Sequence, residues 1–120
     1  MPIQEHRLIL RGIDCGRDVT VEYIKGFFRD LTLKLGMTLW KGPFAWEMNL
    51  RDKEPGISGY VAWHESGCQL HEYRSERRVT LDVYSCKEFK VTDVDLLFRF
   101  YFQPRAVLNC IPILNERNCR

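Results

Sequence analysis

A chain of 120 residues with 45% hydrophobic, 28% charged and 12% aromatic content fits one compact domain with a modest core and excludes a disordered polymer. Its 18 Lys+Arg against 16 Asp+Glu leave a formal charge of only +2, and the basic residues are dispersed apart from Arg74, Arg77 and Arg78, so neither a nucleic-acid nor a membrane partner is implied. No run approaches the roughly 18 apolar residues of a membrane span, and Met1-Pro2-Ile3-Gln4-Glu5-His6 lacks the basic start and apolar stretch of a signal peptide, which sets the expectation of a cytoplasmic protein.

Residues His6 to Ile13 read as a strand, and Gly16 punctuates the turn after it. From Asp18 to Leu35 the apolar residues Val21, Ile24, Phe28, Leu31 and Leu35 recur at helical spacing, with acidic residues early, Lys34 late and Gly36 beyond. Thr38 to Leu50 is strand-rich but interrupted at Gly42-Pro43, and the polar run Arg51 to Gly56 is a turn. Gly59 to His64, Cys68 to Tyr73 and Val79 to Tyr84 read as three successive strands. Thr92 to Phe102 supplies a second helix, with Leu96, Leu97, Phe98 and Phe100 expected on or near its buried side and Pro104 ending it, and Ala106 to Leu114 closes the chain as a strand.

That order predicts an α+β two-layer sandwich: an antiparallel sheet with two helices on one face, in a single domain spanning residues 1–120. The sheet face left without helices makes a homodimer the expected assembly. The five cysteines, Cys15, Cys68, Cys86, Cys110 and Cys119, are odd in number and contain no C-x-x-C, so reduced thiols are expected rather than a disulfide framework or a metal site.

The chemistry gathers in the middle of the chain. Glu65-Ser66-Gly67 falls at a strand junction, and a serine whose amide nitrogen follows a glutamyl carbonyl can attack that carbonyl; Gly67 permits a strained backbone there. His71, five residues on, is placed to fold back near the junction and carry a proton, whereas His6 and His64 read as packed sheet residues. Strand alternation sets Cys68 on the face opposite His71 and makes it the less suited thiol, and Cys86, at the end of the strand Val79 to Tyr84, is a candidate because a strand end delivers a side chain to a rim. Ser58, just past Pro55-Gly56, is a candidate hydrogen-bonding helper. The same residues also read as an ordinary turn, a packed histidine and a small buried thiol.

The joint pattern Gly56-x-Ser58-Gly59, Glu65-Ser66, His71 and Asp82-Val83-Tyr84-Ser85-Cys86, then Phe102-Gln103-Pro104, resembles the prokaryotic S-adenosylmethionine decarboxylase proenzyme family over almost the whole chain. The resemblance implies a self-processing decarboxylase of polyamine (spermidine) biosynthesis. Ser66 would attack the Glu65 carbonyl in an N-to-O acyl shift, and elimination would then split the chain into residues 1–65 and 66–120 and leave Ser66 as a covalent pyruvoyl cofactor. That group would form a Schiff base with the substrate amine. By the same resemblance His71 is the processing base, Ser58 supports the oxyanion intermediate, and Cys86 returns a proton to the substrate.

Departures from the family pattern fall around the substrate. Gly67 stands where the family has His, and Asp52-Lys53-Glu54 stand where an aromatic would stack on adenine; losing that face costs about 1–3 kcal/mol. Glu72-Tyr73-Arg74-Ser75 replace Thr-Trp-Pro-Glu, so that Tyr73 keeps an aromatic while Ser75 replaces a ribose-binding carboxylate. Tyr73, Glu72, Asp52 and Glu54 are therefore the candidate substrate-binding residues, and the three acids would equally suit the cationic side chain of arginine or ornithine. A cysteine hydrolase built on Cys86 and His71 and a non-processing binding protein are the further alternatives.

Overall fold

Period-two alternation drives the sheet. The elements of the computed structural model, which describes residues 5–48 and 55–110, run β1 (His6–Ile13), α1 (Val21–Lys34), β2 (Leu39–Met48), β3 (Gly56–Trp63), β4 (Ser66–Tyr73), β5 (Arg78–Ser85), α2 (Val91–Phe102) and β6 (Ala106–Cys110). Leu8 and Leu10 on β1, Ile57, Val61 and Trp63 on β3, Cys68 and Leu70 on β4, and Val79, Leu81 and Val83 on β5 are all buried, so each strand offers one apolar edge to the same side. The strands form one antiparallel sheet in the order β2-β3-β4-β5-β1-β6. Strands β2 to β5 are a meander, and β1 enters between β5 and β6.

Both helices cover that apolar side, giving the α+β sandwich. Thr20 caps α1 by accepting the Tyr23 N–H at 3.1 Å, which starts the helix at Val21 rather than at Asp18. Thr32 donates to the Phe28 carbonyl at 2.7 Å and accepts from Trp63 Nε1 at 2.8 Å, tying α1 to β3. Gly59 lets α1 settle there, because a Cβ at that position would stand 2.7 Å from Phe28 Cε2.

The second helix differs from expectation in its buried side. Val94, Phe98 and Phe102, four residues apart, face the sheet, and Leu97 packs beside them. Leu96 and Phe100 are 64% and 71% exposed, because a step of two residues turns a side chain to the far side of the helix. Strand β3 begins three residues earlier than the sequence predicts, β4 takes in Ser66 and Gly67, and residues 111–114 of the expected final strand lie outside the described residues. The expected interruption at Gly42-Pro43 is realised as register shifts within β2.

Cys15, Cys68, Cys86 and Cys110 are free thiols. Among the described residues no helix is long and apolar enough to cross a membrane. The helix-free sheet face carries Phe44, Trp46, Tyr60 and Tyr84, each between 37% and 48% exposed.

Candidate active site

Strands β3 and β4 pair from Trp63 opposite Ser66, so His64 and Glu65 are the whole of the turn between them. Glu65 has a φ of 59°. For a residue with a Cβ this left-handed conformation costs about 1–2 kcal/mol, and it lies on the carbonyl side of the Glu65–Ser66 bond. The strain expected at Gly67 is thus found at Glu65, since Gly67 is already in regular strand pairing with Ala62 and Tyr84. His64 is exposed at this turn, with its ring 6.3 Å from that of Trp40, rather than packed within the sheet.

The Ser66 hydroxyl is held from the end of β5. It donates to Ser85 Oγ at 3.3 Å and accepts the Cys86 N–H at 3.3 Å, and Cys86 Sγ stands 3.9 Å away. Cys86 Sγ also donates to Glu65 Oε2 at 3.5 Å. The fold therefore brings Glu65, Ser66 and Cys86 together, because the end of β5 lies beside the start of β4. Cys68 is buried on the core side, and burial pushes its thiol well above the ordinary range.

Ser58 and His71 form a separate pair. They are direct cross-strand partners, and Ser58 Oγ lies 2.9 Å from His71 Nδ1. Trp46 is opposite Ser58 on β2, and with Phe44, Tyr60 and Gln69 it lines a cavity of about 270 Å³ at this pair. His71 does not fold back onto the junction as expected, because Ser66 and His71 belong to the same strand. Five residues of strand separate them by about 16 Å. Cys86 and His71 are consequently apart as well, which removes the Cys-His arrangement a cysteine hydrolase within one chain would need.

Of the candidate substrate residues, Glu72 and Tyr73 do not gather at Ser66. Glu72 sits near the far end of β4, where Arg74 Nη2 reaches its carboxylate at 3.3 Å and that of Glu47 at 3.1 Å. The Tyr73 ring lies 4.3 Å beneath the Arg78 guanidinium. Asp52 and Glu54 lie outside the described residues.

Several residues at the site were not singled out from the sequence. Arg7 grips Asp82 through two hydrogen bonds of 3.0 and 2.6 Å, and the bond to Asp82 raises the Arg7 pKa further. With Tyr60, Tyr84 and Ser66 they line a cavity of about 370 Å³ on the helix-free face. Ser85 is wholly enclosed. Its signal was available: Val79, Leu81, Val83 and Ser85 share one strand parity, and a hydroxyl in line with three core residues needs a partner. Among the described residues no group of three or more His, Cys, Asp or Glu side chains could hold a metal ion.

The family model described as S-adenosylmethionine decarboxylase matches residues 6–109. Among solved structures, the adenosylmethionine decarboxylase from Aquifex aeolicus VF5 superposes with a TM-score of 0.72, covering 93% of each chain at 14% sequence identity. No curated protein matches the sequence.

Proposed function

The chain belongs to the S-adenosylmethionine decarboxylase family, and on that premise we propose that it cuts itself between Glu65 and Ser66 and decarboxylates S-adenosylmethionine with the pyruvoyl group so formed. The observation that carries this reading is the Ser66 hydroxyl, held between Ser85 and the Cys86 N–H beside a left-handed Glu65. Those residues fit the group: a serine oxygen anchored next to a strained glutamyl peptide, with a thiol 3.9 Å away. The pyruvoyl group supplies a carbonyl that takes up the electrons left when carbon dioxide departs.

In the first reaction Ser66 Oγ forms a bond to the Glu65 carbonyl carbon as the peptide C–N bond breaks, and its proton ends on the Ser66 nitrogen. Cys86 Sγ then serves decarboxylation as the proton donor to the substrate carbon. A thiol that carries its proton is a suitable acid for a carbanion.

Ser58 and His71 belong to the same machinery, with His71 Nδ1 and Ser58 Oγ sharing one proton path of 2.9 Å. Their distance from Ser66 within one chain calls for a second copy of the chain to present them. The exposed aromatics of the helix-free face, Phe44, Trp46, Tyr60 and Tyr84, support a homodimer that packs there. In this reading the enzyme is cytoplasmic and its product feeds polyamine (spermidine) biosynthesis.

Glu72 is engaged by Arg74, which favours S-adenosylmethionine over arginine or ornithine. Carbon dioxide release from the processed protein, measured in parallel with S-adenosylmethionine, arginine, ornithine and lysine, tests the assignment. Release from S-adenosylmethionine alone is expected, and release from arginine or ornithine alone would replace it.

A further inference from the structure

Ser85 is the last residue of β5 and has no exposed surface. Its hydroxyl donates to the Lys87 carbonyl at 2.6 Å and accepts the Lys87 N–H at 2.8 Å, which closes a tight turn around Cys86. A serine hydroxyl has one proton to give and two lone pairs to receive with. With the proton given to Lys87 and one lone pair taken by the Lys87 N–H, one acceptor site remains, and Ser66 Oγ donates into it at 3.3 Å. The Cys86 N–H meets Ser66 Oγ from the same turn, also at 3.3 Å.

We infer that Ser85 is a positioning residue for the self-cleavage of the Glu65–Ser66 bond. This rests on the reading of Ser66 as the precursor of the pyruvoyl group. Because the Ser85 proton is committed to Lys87, Ser85 can only accept from Ser66, and that fixes which way the Ser66 O–H points. The remaining lone pair of Ser66 Oγ is then free to meet the Glu65 carbonyl carbon. In the acyl shift the O–H bond of Ser66 and the Glu65–Ser66 C–N bond break, the new C–O bond forms, and the proton passes to the Ser66 nitrogen. Ser85 finishes with the proton it began with. Both contacts to Ser66 Oγ are long for hydrogen bonds in the resting chain; Ser85 acts on the ground state by orienting the Ser66 O–H, and the bond donated by the Cys86 N–H is the one that tightens as the oxygen gains negative character.

The experiment follows chain cleavage over time in freshly purified, full-length wild type, Ser85→Ala, Ser85→Cys and Ser85→Thr, with circular dichroism confirming the fold of each. The alanine and cysteine variants are expected to cleave at least about tenfold more slowly, the rate factor of one lost hydrogen bond to a reacting group. Cysteine keeps the size of serine but accepts weakly, so it separates the hydrogen bond from packing should alanine fail to fold. Threonine, which keeps the hydroxyl, is expected to recover cleavage to within about threefold. Cleavage of Ser85→Ala or Ser85→Cys within twofold of wild type, or of Ser85→Thr as slow as Ser85→Ala, would overturn the role of Ser85 alone. A wild-type chain that stays intact would instead overturn the reading of Ser66 on which it rests.

Discussion

Ser66 and His71 stand on one strand, five residues apart, with Ser66 paired to Trp63 and His71 to Ser58. A base about 16 Å from the bond it serves cannot act on it. The proposed homodimer resolves this, with one copy supplying Glu65, Ser66 and Cys86 and the other Ser58 and His71. Coexpression of separately tagged Ser66→Ala and His71→Ala chains is then expected to restore cleavage of the His71→Ala chain while the Ser66→Ala chain stays whole. His71→Ala chains that cleave when expressed alone would place His71 outside the processing machinery, and His71→Ala chains left whole in the coexpression, where wild type cleaves, would confine it to its own chain.

Cys86 reaches both Ser66 Oγ and the Glu65 carboxylate. Removing its thiol takes away the proposed proton donor, and a positioned acid contributes about 100-fold to 10,000-fold. Cys86→Ala, once processed, is expected to show kcat lowered by at least about 100-fold. Steady-state carbon dioxide release provides the check, and kcat near wild type would exclude Cys86 as the donor.

Gly59 marks where α1 meets the sheet one residue from Ser58. The Cβ of Gly59→Ala would press on Phe28 Cε2 at 2.7 Å and Ile24 Cγ2 at 3.0 Å. Overpacking of this kind costs about 1–3 kcal/mol. A lower urea midpoint at unchanged slope is the expected result, and equal midpoints would mean that the helix shifts without cost.

Stability should decline in alkali for a reason visible in the core. Burial raises the Cys15 thiol from 9.0 to about 11, and desolvation with the Asp30 hydrogen bond raises Tyr101 from 10.0 to about 12. Both groups are uncharged when protonated, so the unfolded chain loses these protons first. The stability they contribute is complete below pH 9 and is lost as pH rises through 9 to 11 for Cys15, and through 10 to 12 for Tyr101. Urea midpoints across pH 8–11 are expected to fall, and to fall less steeply in Cys15→Ala; parallel curves would remove Cys15 from the explanation.

The layers of the fold were legible because each strand hides one parity of residues and Val21 to Leu35 repeats at helical spacing. Leu96 and Phe100 misled because apolar residues on α2 outnumber the places beneath it, and composition cannot say which side turns inward. At the site, the Glu65–Ser66 junction and the position of Cys86 at a strand end were readable from spacing. The distance from Ser66 to His71 was not, since it depends on Ser66 joining β4 rather than remaining in the turn. Ser85 was legible as a hydroxyl on the buried parity of β5, but its contact with Ser66 was not, since that exists only once β4 lies beside β5.

The central claim is that Ser66 becomes a pyruvoyl group, and intact mass spectrometry of the purified full-length chain tests it most directly. The account predicts two fragments, residues 1–65 and 66–120, the second lighter by one ammonia than a fragment beginning with serine, and a single intact species for Ser66→Ala. A wild-type chain that remains whole, or a second fragment that still begins with serine, would contradict it.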